Sequence, residues 1–160
     1  MDHTPQVTVV TVERRIGAPR DLVWEVLTDL HGLPGTLSGV VRVEVLTEGP
    51  FQAGTRWIVE RRMFGGAAAE ELWVTACQAP SRYVVEAETR GARYVAEVTV
   101  REAGPGETLV RTAFSAGPPR GRAGALAGLL GGLGRRAVAR ALERDLADVA
   151  RAVERRPDGA

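Results

Sequence analysis

The sequence predicts an α+β domain in which an antiparallel sheet of seven strands packs on a long C-terminal helix. Three observations lead to this class. One strand-like segment near the N-terminus is followed by a helical one, six more strand-like segments come in close succession, and the C-terminal part has helical periodicity. Strands joined by short turns pair antiparallel, and one face of such a sheet needs an apolar cover. The terminal helix is long enough to provide that cover.

The first strand and two short helices are predicted at the start of the chain. Val7–Ile16 is rich in β-branched residues and roughly alternating, which is typical of a strand. Pro19 suits the first turn of the helix that follows, over residues 20–30. Gly32, Pro34 and Gly35 break this helix, and a further helical turn is expected at residues 36–39.

The middle of the chain has a period of two, which predicts half-buried strands. These strands span residues 40–46, 55–64, 70–78, 82–89, 93–101 and 108–115, with Gly- and Pro-containing turns between them. Gly65, Gly66 and the three alanines that follow are expected to form a loop.

Residues 123–155 form the longest helical segment, with apolar residues recurring mostly three and four apart. The second half consists of good helix formers, whereas each glycine of the first half, from Gly124 to Gly134, costs about 1 kcal/mol relative to alanine. We expect the second half to anchor in the core and the Gly-rich half to form a lid over a cavity. The competing interpretation is close helix–sheet packing that requires small residues. The predicted anchor residues are Leu142, Leu146, Val149 and Val153.

Length and composition bound the organisation of the chain. The 160 residues fit one domain, which we place at residues 7–155, with disordered ends at 1–6 and 156–160. No apolar run reaches the length of about 20 residues that a membrane span needs, and no secretory signal is visible. The single cysteine, Cys77, has no partner for an internal disulfide, which favours a cytoplasmic location.

The charge is nearly balanced, at +1, but the basic excess lies toward the C-terminus. Residues 120–160 hold 9 arginines and 5 acids. Because the acids are interspersed, and Arg144 and Asp148 have the spacing of an i,i+4 pair, we interpret this as a solvated helix face. No nucleic-acid partner is expected.

Several segments resemble those of the START-like (SRPBCC) superfamily over about residues 7–155. They are Ala18-Pro19, Val23-Trp24, Leu27-Thr28-Asp29, Gly54-Thr55-Arg56-Trp57 and Ala79-Pro80 with Arg82. The resemblance implies the helix-grip fold, a curved antiparallel seven-stranded sheet wrapped around the C-terminal helix, with a ligand cavity between the two. The polyketide cyclase/dehydrase-like branch, which is common in bacteria of high GC content, is the most similar. These motifs indicate the fold but do not indicate which chemistry the protein performs.

Strand parity predicts which residues line that cavity. Trp57, Val59, Arg61 and Met63 form the more apolar side of their strand, which directs Arg61 inward. The other candidate ligand-binding residues, by the same parity and from the helix, are Val43, Leu72, Val74, Tyr83, Val85, Tyr94, Ala96, Val98, Thr112, Phe114, Leu126 and Leu130. Tyrosine and threonine hydroxyls in an apolar wall are the usual mixture in a small-molecule pocket.

Four residues are candidates for chemistry: Arg61, Tyr83, Tyr94 and His31. An inward arginine could hydrogen-bond a carbonyl, enolate or carboxylate, unless it reaches solvent by snorkelling. His31 lies where the first helix breaks and could act as an acid or base, although a surface loop histidine is the competing interpretation. Cys77 is interpreted as a small apolar residue. Neither a metal nor a cofactor is expected.

Three functions are compatible with this pattern. The first is binding of a hydrophobic small molecule such as a lipid, quinone or polyketide. The second is an aromatase/cyclase-like enzyme that holds a polyketide-type chain in a reactive geometry. The third, motivated by the basic helix, is a regulatory or interaction protein. The protein is expected to be a monomer or a homodimer.

Overall fold

A computed structural model describes residues 7–63, 66–89, 92–116 and 132–155 of the chain. It contains one sheet of seven antiparallel strands in the order β1-β7-β6-β5-β4-β3-β2. The strands are β1 (Val7–Ile16), β2 (Val40–Val45), β3 (Arg56–Met63), β4 (Gly66–Gln78), β5 (Arg82–Thr89), β6 (Ala92–Gly104) and β7 (Glu107–Ala116). The predicted number and direction of the strands are confirmed, and β1 and β2 form the edges.

Three helices are described beside the sheet. Helices α1 (Arg20–Thr28) and α2 (Leu33–Thr36) follow β1, and α3 (Gly132–Glu154) closes the fold. The fold is therefore the predicted helix-grip arrangement, with two short helices after the first strand and a long C-terminal helix against the sheet. None of the helices in the described ranges has both the length and the apolarity needed to cross a bilayer.

Two local predictions were wrong. The second helical turn lies at Leu33–Thr36 rather than at residues 36–39, because Pro34 occupies a first-turn position where its missing N–H is tolerated. The predicted Gly-Ala loop is instead the start of β4, where Gly66 pairs with Met63 and Ala69 pairs with Glu60. Long-range strand pairing overrides the weak β propensity of these small residues.

Some predictions fall outside the described residues. These are the disordered ends at 1–6 and 156–160, helix formation at residues 123–131, and nearly all of the proposed Gly-rich lid. The second half of the long helix is described, and its role as the anchor is confirmed. Leu146, Val149 and Val153 are buried, and Leu142 packs partly buried against the same core.

The core lies between α3 and the face of the sheet that the helix covers. Ile16, Val100 and Val110 are fully buried on the sheet, and Val23 of α1 joins them. Burying a side chain of this size stabilises the fold by about 1.5–3 kcal/mol. These residues belong to the core through which helices α1 and α3 pack against strands β1, β6 and β7.

Hydrogen bonds fasten the connections around this core. The hydroxyl of Thr108, which has no solvent exposure, donates to the carbonyl of Ala18 at 2.7 Å. The backbone N–H of Gly17 donates to Glu154 Oε1 at 3.1 Å, which ties the end of β1 to the end of α3. Both ends of the β1–α1 connection are thus fixed to distant parts of the chain.

Candidate functional site

The face of the sheet turned toward α3 carries the residues predicted to line a cavity. Residues directly opposite each other on neighbouring strands point to the same side of a sheet. The opposing pairs on this face are Val43–Val59, Trp57–Leu72, Val74–Val85, Tyr83–Val98, Ala87–Tyr94, Ala96–Phe114 and Val98–Thr112. The register therefore brings the described candidates from β2 to β7 onto one apolar surface.

An aromatic cluster occupies part of this surface. Tyr83 of β5 lies edge-on to Phe51, with ring centroids 5.1 Å apart, and to Trp24 of α1, at 5.5 Å. Phe51 also contacts Trp57 of β3, at 6.2 Å. Such pairs each contribute about 0.5–1.5 kcal/mol beyond the area they bury. Strand parity could not predict Trp24 and Phe51, because Trp24 lies on a helix and Phe51 lies in the loop between β2 and β3.

A charged pair, Arg61 and Asp145, joins strand β3 to helix α3. The guanidinium of Arg61 on β3 lies 3.2 Å from Asp145 Oδ2 on α3, and the Asp145 side chain is 19% exposed. Burial raises the pKa of Asp145 above its ordinary value, although Arg61 opposes that shift. The inward direction predicted for Arg61 agrees with this contact, and its side chain keeps 36% exposure. Burial thus disfavours the charged form of Asp145, and the guanidinium of Arg61 favours it.

The hydroxyl of Tyr83 lies near this charged pair. Burial, and then the negative charge of Asp145, raise the pKa of Tyr83 well above its ordinary value, so the hydroxyl stays protonated at neutral pH. Within the described part of the chain, no hydrogen bond involves this hydroxyl. Tyr83 therefore presents a hydroxyl without a hydrogen bond in the described part of the chain, on a largely apolar surface and under the influence of the Asp145 charge.

A second acid of α3 has a structural role. Asp148 is 4% exposed, and its Oδ2 accepts hydrogen bonds from the N–H and the hydroxyl of Ser38, each at 2.8 Å. Burial opposes its charge, but these hydrogen bonds and the contact with Arg151 hold the pKa of Asp148 below its ordinary value. The solvated helix face predicted for this region was therefore wrong here, and the ion partner of Asp148 is Arg151 rather than Arg144.

The other chemical candidates lie apart from this group. Tyr94 stacks on Phe114, with ring centroids 5.7 Å apart, toward the β6–β7 side of the surface. His31 is exposed and borders a cleft of about 110 Å³ that Phe51 and Thr55 also line. The structure thus places His31 at a surface cleft behind the aromatic cluster, away from the pair of Arg61 and Asp145.

Three candidate lining groups lie outside what the structure describes: the side chain of Met63, and residues Leu126 and Leu130. One residue that the sequence analysis did not select joins the surface. Glu70 lies opposite Val59 and so shares the face of Arg61. It was missed because the strand was expected to begin at that residue. Burial raises the pKa of the Cys77 thiol, as expected of an unreactive cysteine.

Comparison with known proteins agrees with the class that this architecture defines, the START-like proteins of the helix-grip fold. The chain belongs to the family described as polyketide cyclase/dehydrase and lipid transport, whose model matches residues 7–154. The resemblance noted from the sequence is thereby confirmed. No curated protein matches the sequence of this chain.

Solved structures share the fold at low sequence identity. TTHA0849 from Thermus thermophilus is 22% identical with a TM-score of 0.75, covering 91% of this chain and 96% of its own. The Zhui aromatase/cyclase from Streptomyces sp. R1128 is 21% identical with a TM-score of 0.74, covering 94% and 97%. Norcoclaurine synthase from Thalictrum flavum, a point mutant in complex with a transition-state analogue, is 15% identical with a TM-score of 0.71, covering 93% and 96%.

Proposed function

We propose that this protein binds a hydrophobic small molecule, of the lipid, quinone or polyketide kind, between the sheet and its C-terminal helix. The observation that carries the proposal is the hydroxyl of Tyr83, which has no hydrogen bond in the described part of the chain and lies on an apolar surface under the influence of the Asp145 charge. A hydroxyl donor on an apolar surface fixes the orientation of a ligand that accepts its hydrogen bond.

The surface around this hydroxyl suits a flat or branched apolar ligand. Val59, Val74 and Trp57 are buried in the core on the same face as Tyr83. Val43, Leu72 and Val85 on this face are only partly buried, and they are the side chains that a ligand would cover. Ligand sites are commonly lined by apolar and aromatic side chains, with a few polar groups that fix the orientation. The polar end of the ligand is placed at Tyr83 and Arg61, and its apolar part along the valines.

The ligand chemistry follows from the protonation states. Tyr83 keeps its proton and donates, and Arg61 is permanently charged and donates from a planar fork. Two such donors on one face of the sheet favour a ligand that carries an acceptor, such as a carbonyl, phenolate or carboxylate oxygen. A quinone or an aromatic polyketide offers such an oxygen on an otherwise apolar frame.

The proposal is tested by titrating the protein with menadione, a naphthoquinone, and with emodin, a hydroxylated anthraquinone. Trp24 and Trp57 lie at the site, whereas Trp73 lies on the opposite face under Arg56. In a Trp73→Phe background we expect saturable fluorescence quenching, with one ligand bound per chain by native mass spectrometry. Neither saturation nor a 1:1 complex up to the solubility limit of the ligands would overturn the proposal.

A second candidate function is cyclisation of a polyketide-type substrate at the same site. The observation that favours it is the protonated Tyr83 on the same face of the sheet as Arg61, since donors of these types stabilise an enolate oxygen as its charge develops. The family description and the Zhui aromatase/cyclase are compatible with this alternative. Incubation with a reactive poly-β-ketone separates the two functions. A product that requires Arg61 supports the enzyme, and tight binding without turnover supports the carrier.

A further inference from the structure

Strand β2 forms an edge of the sheet, and none of the described strands pairs with its outer side. The N–H of Leu46 donates to the carbonyl of Arg56 on β3, so residues 42, 44 and 46 direct their backbone groups inward. The N–H and C=O of Val43 therefore point away from the sheet. Beside this edge lie Val41 and Leu46, 42% and 45% exposed, the two large apolar side chains that are exposed within the described ranges.

We propose that this edge pairs antiparallel with β2 of a second copy, about a two-fold axis through Val43. The two Val43 residues would then exchange both of their backbone hydrogen bonds. The axis places Arg42 of each copy directly opposite Glu44 of the other, in the closely spaced type of pair. It also brings the exposed Val41 beside Val45 of the second copy.

The pattern of charges distinguishes this edge from one that is merely protected. Charged residues on edge strands ordinarily discourage pairing between copies. Here the sequence Val-Arg-Val-Glu-Val is self-complementary in charge when it is reversed about its centre, so both cross-strand pairs are attractive. Arg42 remains accessible for this contact, because its side chain is 71% exposed although it forms an ion pair with Glu60 at 3.8 Å. Such a short interface predicts a weak dimer rather than a permanent one.

The test is sedimentation velocity of the full chain from about 5 to about 200 µM in low salt. The wild type is expected to show a monomer–dimer equilibrium. Arg42→Glu places two acids in each facing position and Glu44→Arg places two bases, so each variant should raise the dimer dissociation constant about tenfold or more. Both side chains are exposed, and circular dichroism checks that the variants fold.

Complementation makes the result specific to this interface. An equimolar mixture of the two single variants should form heterodimers, and the double variant Arg42→Glu/Glu44→Arg should regain the wild-type dissociation constant. Arg111→Glu, which reverses an exposed pair with Glu13 on the same face but away from this edge, is the control and should leave association unchanged. A wild type that stays monomeric over the whole range, or a dimer that ignores these reversals, would overturn the proposal.

Discussion

Arg61 of strand β3 and Asp145 of helix α3 form an ion pair of 3.2 Å, which joins the covering helix to a strand next to the β2 edge of the sheet. The sequence separation is large, so only the tertiary fold brings the two together. The carboxylate of Asp145 is mostly buried, and burial disfavours its charged form. The fold therefore keeps this carboxylate in an unfavourable place, and its pairing with Arg61 offsets part of the cost in stability.

Replacement of Arg61 tests this relationship. We expect Arg61→Ala to lower the free energy of unfolding by about 1–2 kcal/mol at pH 7, less than for a fully buried pair because Arg61 is 36% exposed. The reason is that Asp145 loses its counter-charge. Urea denaturation measures the loss, which should shrink in the double variant Arg61→Ala/Asp145→Asn. Equal losses in the single and the double variant would contradict the coupling.

The two acids of α3 should give opposite dependences of stability on pH. Asp145 has a raised pKa, so its contribution is complete below the ordinary value of 3.8 and is lost as the pH rises through the folded value. Asp148 has a lowered pKa, so its contribution is complete above that ordinary value and is lost as the pH falls through the folded value.

Asparagine at each position measures this contrast. Asp148→Asn is expected to lower the free energy of unfolding by about 2 kcal/mol at pH 7, because the hydrogen bonds from Ser38 lose their charged acceptor. Asp145→Asn should be at least as stable as the wild type at pH 7, because it removes a charge that burial disfavours, and it should abolish the gain that the wild type shows on acidification toward pH 3.8. Denaturation curves at several pH values decide the matter, and identical profiles for the two variants would be incompatible with these assignments.

Tyr83 should contribute to packing through its ring and to binding through its hydroxyl. Tyr83→Ala removes the centre of the aromatic cluster and should cost about 3–5 kcal/mol of stability. Tyr83→Phe keeps the ring and removes a hydroxyl that has no hydrogen bond in the described part of the chain, so its melting temperature should match that of the wild type. A clear loss of stability in Tyr83→Phe would show that the hydroxyl has a structural partner.

Substitution of Thr108 should lower the stability of the fold through the loss of one buried hydrogen bond. Thr108→Val keeps the shape of the side chain but leaves the carbonyl of Ala18 without its 2.7 Å hydrogen bond in a fully buried place. We expect a loss of about 1–3 kcal/mol in chemical denaturation. Thr11→Val, at an exposed position of β1, is the matched control and should change stability little. If both variants behave alike, the hydrogen bond contributes nothing measurable.

The strands and the residues of the covered face were predictable from the sequence, because a period of two fixes which side chains share a face. Val98 illustrates this, since it is buried and alternates with the polar residues Glu97 and Thr99. Gly66 shows the limit of the method. A run of small residues has no strand signal of its own, and its pairing with β3 supplies the order.

The polar part of the site was only half predictable. Strand parity directed Arg61 and Tyr83 inward, but Asp145 looked like one more acid on a solvated helix. Which face of α3 meets the sheet depends on helix phase and docking, so neither Asp145 nor the Ser38 contact of Asp148 could be read from spacing alone. Trp24 and Phe51 were missed for the same reason, because helices and loops do not follow the parity of the strands.

The affinity of a matched pair of ligands for wild-type protein and Tyr83→Phe tests ligand binding at this site most directly. Menadione and methylnaphthalene share an apolar frame, but only menadione carries carbonyl oxygens. We predict that Tyr83→Phe weakens menadione binding about five- to tenfold, as expected for one lost hydrogen bond, and leaves methylnaphthalene binding unchanged. An equal change for both ligands, or no change for menadione, would contradict the placement of the polar end of the ligand at Tyr83.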